Sequence, residues 1–314
     1  MSTSKPFVLF FNPVRHTKSF YMKLQEVAHT EVATNQSRDE FFKDLRDKYK
    51  NIFAIYRTSA SGSWVAGKFD KEFIDQLPPS CRYICHNGAG YDPIDAKACA
   101  DKGIIVTNAP DPVTDATADL AIFLLLAALR QLSPAMAALR AGEFKKGVDF
   151  GHDPQGKTLG ILGMGQIGRA IKARCDPFGL KTVYHNRNPL SAEQAAGTEY
   201  VSFDKLLEKS DIISINVPLN ASTKYLINVA EIARMKPGVV IISSARGAII
   251  NEAAMADALE SGHIGAVGLD VYEREPEINE KLMKQGILKS LGLRSPLVRS
   301  LKIRASFWMS QSMI

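Results

Sequence analysis

Little in this 314-residue chain points to an oxidising compartment, a membrane or a metal. Its four cysteines, Cys81, Cys85, Cys99 and Cys175, form no Cys-x-x-Cys pair and no ligand-like cluster. Neither a disulfide framework nor a zinc site is expected, and reduced thiols in the cytoplasm are the default. No apolar stretch is long enough to span a bilayer. The longest, Leu120 to Leu129, is bracketed by Asp119 and Arg130 and reads as a buried core helix. The first residues carry no basic segment followed by a long apolar one, so secretion is not expected. Internal repeats and low-complexity segments are absent.

Acidic residues are missing from the last 28 positions. From Ile287 onward the chain holds Lys289, Arg294, Arg299, Lys302 and Arg304 and no Asp or Glu. Without these five cations the net charge of +6 falls to +1. The basicity therefore belongs to one tail and not to a folded phosphate-binding surface, and a nucleic-acid partner is not expected.

What remains is ordinary for a soluble globular protein, with 46% hydrophobic and 23% charged residues. The length suggests about two domains. Candidate strands at Phe7–Phe11, Ile52–Tyr56, Arg82–His86 and Ile104–Thr107 alternate with candidate helices at Lys18–Ala28, Arg38–Lys48 and Pro93–Ala100. A long helix follows from about Thr114 to Leu129, then a second helical stretch containing Pro134. A further series starts at Lys157, with strands at Thr158–Leu162, Thr182–His185, Ile212–Val217, Val239–Ser243 and Ala266–Val271. Helices are expected from Gln166, Lys205, Ala221 and Asn251. Such alternation implies parallel βαβ units: an α/β chain of two parallel-sheet domains, Rossmann-like and flavodoxin-like, the second inserted in the first. The expected boundaries are 1–112, 113–286 with its connecting helices, and 287–314 as a divergent basic tail.

The clearest chemical signal is Gly163-Met164-Gly165-Gln166-Ile167-Gly168, placed between the strand Thr158–Leu162 and a helix. A glycine triplet alone is weak evidence. In this context the physics assigns Gly163 to a tight turn, Gly165 to backbone approach by a pyrophosphate, and Gly168 to helix–strand packing. Gln166 and Ile167 begin the helix whose amides and dipole hold the phosphates. After the next strand, where an NAD site usually offers an acid to the ribose hydroxyls, this chain has Asn186 and Arg187 and no acid before Glu193. Those donors suit a 2′-phosphate, so NADP(H) is favoured and NAD(H) is the alternative.

Several further segments accompany the glycine motif. They are His86-Asn-Gly-Ala-Gly-Tyr-Asp92, Val106-Thr-Asn-Ala-Pro-Asp111, Ala116-Thr-Ala-Asp119, Asn216-Val-Pro-Leu219, Ser243-Ser-Ala-Arg-Gly247 and Gly268-Leu-Asp-Val-Tyr-Glu-Arg-Glu-Pro276. Together they resemble the D-isomer-specific 2-hydroxyacid dehydrogenases, closest to their fungal glyoxylate/hydroxypyruvate reductases, over about Pro6 to Gly286. The resemblance implies reduction of a small 2-oxo acid to a D-2-hydroxy acid by a homodimer that pairs through the Asp119–Leu139 region. Arg246 looks like the arginine that binds the substrate carboxylate and polarises its carbonyl. Gly88, Ala89 and Gly90 look like a loop whose amides bind the same carboxylate. Thr117, Val217, Pro218, Ala245 and Asp270 look like cofactor contacts, Asp270 near the nicotinamide carboxamide. Glu275 looks like the acidic partner of a catalytic histidine.

Plainer readings stand beside these. Gly88 and Gly90 serve a turn equally well, His86 reads as a packed loop histidine, and Glu275 sits in an acidic loop with Glu273, Glu277 and Glu280. One departure bears on catalysis. The family places its histidine in a Pro-His-x-Gly segment after the Glu-Pro dipeptide, whereas His263 is the last histidine here. The expectation is a divergent tail that replaces the family's returning segment. An impaired enzyme, a dinucleotide-binding protein without efficient turnover and an unstable truncated product are the readings left open.

Overall fold

The computed structural model describes residues 5–14, 18–58, 67–144, 146–286 and 290–292. The chain divides into two compact units, one running to Val113 and the other beginning at Thr114.

In the first unit the strands are β1 (Phe7–Phe10), β2 (His29–Val32), β3 (Ile52–Thr58), β4 (Tyr83–Asn87) and β5 (Ile105–Thr107). Its helices are α1 (Lys18–Val27), α2 (Arg38–Arg46), α3 (Lys71–Gln76) and α4 (Ala96–Asp101). The sheet is parallel throughout, in the order β2-β1-β3-β4-β5. This is the flavodoxin-like order. Phe11, Phe41, Phe69 and Phe73 bury their rings against one another on one side of it, with Phe69 and Phe73 stacked at 4.0 Å. Ser37, Asp70 and Asp95 cap the N-termini of α2, α3 and α4, each accepting the backbone N–H of the third residue of its helix.

In the second unit the strands are β6 (Thr158–Leu162), β7 (Lys181–His185), β8 (Glu199–Tyr200), β9 (Ile212–Ile215), β10 (Val239–Ser243), β11 (Ile264–Leu269) and β12 (Ser290–Gly292). The helices are α5 (Thr114–Leu129), α6 (Leu132–Arg140), α7 (Gln166–Cys175), α8 (Ala192–Ala195), α9 (Phe203–Lys209), α10 (Val229–Ala233), α11 (Glu252–Glu260) and α12 (Glu280–Gly286). The sheet order is β12-β11-β10-β9-β6-β7-β8, again all parallel. Numbered from β6, the first six strands lie 3-2-1-4-5-6, the dinucleotide-binding order, with the reversal between β6 and β9. Strands β9 and β10 are buried along their whole length, which explains their unbroken apolar runs.

Helix α5 with the turn before it, Asp111–Leu129, is by length and composition apolar enough to cross a membrane. Its place in the fold gives a different reason for that composition. Ala121, Leu124, Leu125 and Ala128 are buried against Val240, Ile242 and Ala266 of the sheet. Gly268 lets the helix come that close: a Cβ there would stand 2.9 Å from both Leu124 Cβ and Ile242 Cδ1. Arg174 of α7 pairs with Asp115 and Asp119 at the helix's exposed edge.

Several elements differ from the sequence pattern, and α3, α8, α12 and β12 are among those it did not mark. Strands β2 and β8 have no apolar run, because each is a short edge strand with little buried surface. The helix expected from Ala221 is instead a series of turns. Asn220 Oδ1 accepts the Ser222 N–H and Thr223 Oγ1 accepts the Asn220 N–H, side-chain bonds that compete with helix formation. The helix starts at Val229, where Asn228 and Glu231 form a capping box. Most of the expected tail, and with it the insertion of one domain in the other, lies outside the described residues, although Ser290–Gly292 pair with β11.

Overpacking the α5–β11 contact should be costly. Gly268→Ala is expected to lower unfolding stability by about 1–3 kcal/mol, read as a drop in the urea midpoint at unchanged slope.

Candidate active site

The glycine turn sits where the strand order of the second sheet reverses. Gly163 leaves β6 with φ of +94°. A Cβ on it would lie 2.8 Å from Val217 N and 2.9 Å from Asn216 C, so only glycine brings this turn against the end of β9. Gly168 is equally constrained, since its Cβ would stand 2.6 Å from Gly163 O and 3.0 Å from Ile161 Cγ2. Gly165 differs: nothing lies within 4 Å of its Cβ direction, and it and Gln166 are exposed. It is the N-cap of α7 and offers no side chain to the first-turn N–H groups. An open helix N-terminus of this kind leaves donors for an anion. These residues fit the pyrophosphate of a dinucleotide.

Asn186 and Arg187 follow β7. The Gly163 N–H donates to His185 O at 2.9 Å and the Met164 N–H to Asn186 Oδ1 at 2.6 Å, so Asn186 itself holds the glycine turn. Its Oδ1 thus occupied, the amide nitrogen is its donor end. Arg187 is exposed and has no carboxylate partner among the described residues. His185 stacks on Tyr200 at 5.7 Å, and Tyr200 Oη donates to Asn186 O.

A second cluster stands at the carboxyl ends of β10 and β11. Ala245 and Arg246 follow β10, with Arg246 Nη1 donating to Ala245 O at 2.7 Å. Asp270 follows β11, its N–H bonded to Ser243 O. The two loops are locked together at Gly247, where a Cβ would stand 1.9 Å from the Tyr272 carbonyl carbon. Asp270 is buried, and its Oδ1 has no hydrogen-bond partner. Burial, and then the nearby charge of Glu275, push its carboxyl up to about 7. A buried acceptor left without a partner fits an amide donor such as a nicotinamide carboxamide. Glu275 is exposed and accepts the Tyr272 N–H through Oε1 at 3.0 Å. Glu252, which sequence reasoning missed, is buried and accepts the Glu273 N–H at 2.5 Å. Burial raises its pKa.

Val217 and Pro218 lie at the end of β9 beside Gly163, and Thr117 is buried in the first turns of α5. In the first unit, Gly88, Ala89 and Gly90 follow β4. Each of their carbonyls has a donor: Ala109 N–H to Gly88 O at 3.1 Å, Asn108 Nδ2 to Ala89 O at 2.7 Å and His86 Nε2 to Gly90 O at 3.0 Å. Asn108, His86 and the buried Arg57 behind it were not read as site residues. The available signal was an arginine inside the apolar strand Ile-Phe-Ala-Ile-Tyr-Arg-Thr.

Residues 122–288 match the NAD binding domain of the D-isomer specific 2-hydroxyacid dehydrogenases. Over 279 residues the chain is 45% identical to 4-methyl-2-oxopentanoate reductase A of Aspergillus oryzae, covering 88% of this chain and 84% of that one. A glyoxylate reductase from Paecilomyes thermophila superposes with a TM-score of 0.93 at 42% identity, covering 98% of this chain and 93% of the other. An NADPH-dependent glyoxylate/hydroxypyruvate reductase from Sinorhizobium meliloti, solved with NADP and malonate, gives 0.82 at 30% identity and 97% and 91% coverage. The chain belongs to the D-isomer specific 2-hydroxyacid dehydrogenase family. By family it is an NAD(P)-dependent 2-hydroxyacid dehydrogenase that works on small 2-oxo and 2-hydroxy acids.

Asp270 makes a pH-dependent contribution to stability. In the unfolded chain an aspartate titrates near about 3.9, against about 7 in the fold. Between those values the folded state holds the extra proton, so rising pH removes stability. Asp270→Asn should gain urea stability relative to wild type from about pH 4 to about pH 7, with the difference level above that.

Proposed function

We propose that this chain reduces a small 2-oxo acid of the glyoxylate or hydroxypyruvate type to the D-2-hydroxy acid, with NADP(H) preferred over NAD(H), in the cytoplasm. One observation carries the reading. The open glycine turn, the orphaned Asp270 carboxylate and Arg246 stand at the carboxyl ends of strands in one dinucleotide-ordered sheet, where such sheets bind their ligands. Gly163, Gly165, Gln166, Ile167 and Gly168 would hold the pyrophosphate. Asp270 would accept from the nicotinamide carboxamide, and Thr117, Val217, Pro218 and Ala245 would line the cofactor. When bound, the nicotinamide supplies the hydride.

The protein's own residues do the rest. The Arg246 guanidinium pairs with the substrate carboxylate and draws electron density from the adjacent carbonyl. In the first unit, the amides after Gly88, Ala89 and Gly90 are donors of a kind that suits a carboxylate. Arg187 and the amide end of Asn186 favour a 2′-phosphate over a bare ribose hydroxyl, and the Sinorhizobium meliloti relative solved with NADP supports that preference.

A second reading has its own observation. Glu275 accepts a backbone N–H, and no histidine contacts it among the described residues. His263, the last histidine in the sequence, bonds Ile232 O at 2.8 Å elsewhere in the fold. A chain that binds dinucleotide and substrate but turns over slowly fits this arrangement. Loss of a general acid costs about 10²–10⁴-fold in rate.

Under the first reading the purified protein should show glyoxylate- or hydroxypyruvate-dependent oxidation of NADPH, faster than of NADH, at the rate of ordinary family members; a rate about 10²–10⁴-fold lower is what the second reading expects. A melting transition raised by NADPH without any oxidation would favour the second reading. If neither NADPH oxidation nor stabilisation by NADPH is seen, both readings fail.

We also infer a homodimer. Phe123, Met136, Leu139, Phe144 and Phe150 leave apolar surface exposed along α5, α6 and the segment after them, side chains of the kind that a partner subunit covers. Sedimentation velocity should return twice the chain mass, and a monomer across the micromolar range would refute this.

A further inference from the structure

We infer that Arg57 and His86 are positioning residues of the Gly88–Gly90 loop: together they turn its amides outward as carboxylate donors. The inference rests on the reading of that loop as a carboxylate-binding element.

Arg57 is the last residue but one of the apolar strand β3 and is fully buried, paired in register with His86 on β4. Its Nη1 lies 3.3 Å from His86 Nδ1. A guanidinium only donates, so Nδ1 is the acceptor and the ring hydrogen sits on Nε2. That hydrogen is donated to Gly90 O at 3.0 Å. The arginine thus selects the histidine tautomer that holds the loop. Gly88 allows the ring to lie directly beneath, since a Cβ there would stand 2.5 Å from Nε2.

With Ala109 and Asn108 holding the other two, three consecutive carbonyls are tied to the interior. In a trans peptide the N–H points opposite to the C=O. The amides of Ala89, Gly90 and Tyr91 therefore face away from those anchors, and none has an acceptor among the described residues. Successive outward N–H groups make an anion-binding concavity.

Arg57 costs the fold something. Among the described residues its Nε and Nη2 have no hydrogen-bond partner, its guanidinium lies against the Phe69 ring at 4.9 Å, and Asp92 is the acid that acts on it electrostatically. Burial draws its pKa down to about 10. A buried cation without a close counter-ion is destabilising, and an apolar replacement of similar volume is often neutral or better. A purely structural role would give the opposite result. The charge beneath the loop also attracts an anion above it.

The test uses the full chain with NADPH present and oxamate, an unreactive isostere of a 2-oxo acid, as the probe. Arg57→Met should weaken oxamate binding about tenfold or more, the scale of a charged hydrogen bond. NADPH affinity should be unchanged and the melting midpoint equal or higher, while Arg57→Lys should restore most of the oxamate affinity. If Arg57→Met does not fold, His86→Leu should lose oxamate affinity and His86→Gln, which keeps a donor, should retain more. Unchanged oxamate binding in Arg57→Met or His86→Leu, or an equal loss of NADPH affinity, would overturn the inference. If the wild type binds NADPH but not oxamate, the reading of the loop as a carboxylate site fails. Amide hydrogen exchange over residues 88–91 then still decides the anchoring: faster exchange in the variants supports it and unchanged exchange refutes it.

Discussion

The second unit depends on backbone coming into contact with backbone where side chains are missing. At Gly163 and Gly168 the strand β6, the start of α7 and the end of β9 meet at distances that no Cβ would permit. Once that junction is closed, the N-terminus of α7 faces the point where strand order reverses, and the ends of β7, β9 and β10 must open onto the same side of the sheet. Gly165, the one glycine of the three with free space, is then the position from which a ligand can be approached. Steric constraint and accessible surface are thus divided among three residues of one short motif.

The two charged centres follow different rules. Around Arg246 the charges are partly solvated and mixed, with Asp270 buried and Glu275 exposed nearby. Burial pushes the Asp270 carboxyl up to about 7, so it is ionised less readily than an exposed aspartate, which lowers the cost of placing a carboxyl group in an apolar setting. Arg57 has no comparable relief, because a guanidinium keeps its proton even when desolvated. Its compensation is geometric: one donor satisfied by His86 and a ring face against the rest. Buried groups of this sort cluster where a protein gives up stability for function.

How much of this was legible depended on where each residue carries its information. The central strands could be read because burial on both faces demands unbroken apolar runs, as in Val239–Ser243. The glycine turn, Arg246 and Asp270 could be marked as candidates because the residue type itself carries the chemistry. The edge strands β2 and β8 could not, since pairing with one neighbour asks little of side chains. The turns after Asn220 were hidden because short polar side chains outcompete helix formation only through specific local hydrogen bonds. The anchoring of Gly88–Gly90 was hidden for a third reason. Arg57 and Asn108 lie far from the loop in sequence, and their partners are a ring nitrogen and a backbone carbonyl. The histidine was in plain view, but its purpose was set by a residue 29 positions earlier.

At Gly247 and the Tyr272 peptide the arginine-bearing loop and the acidic loop pack backbone to backbone, with no room for a Cβ between them. Neither residue bears a charge or a reactive atom. In a saturation mutagenesis screen, however, any side chain at Gly247 would displace Arg246 and the segment leading to Glu275 together. The position would score as intolerant as the arginine itself, and its neighbours' tolerance profiles would rise and fall in step. Two loops separated by a whole helix and strand would behave, genetically, as one.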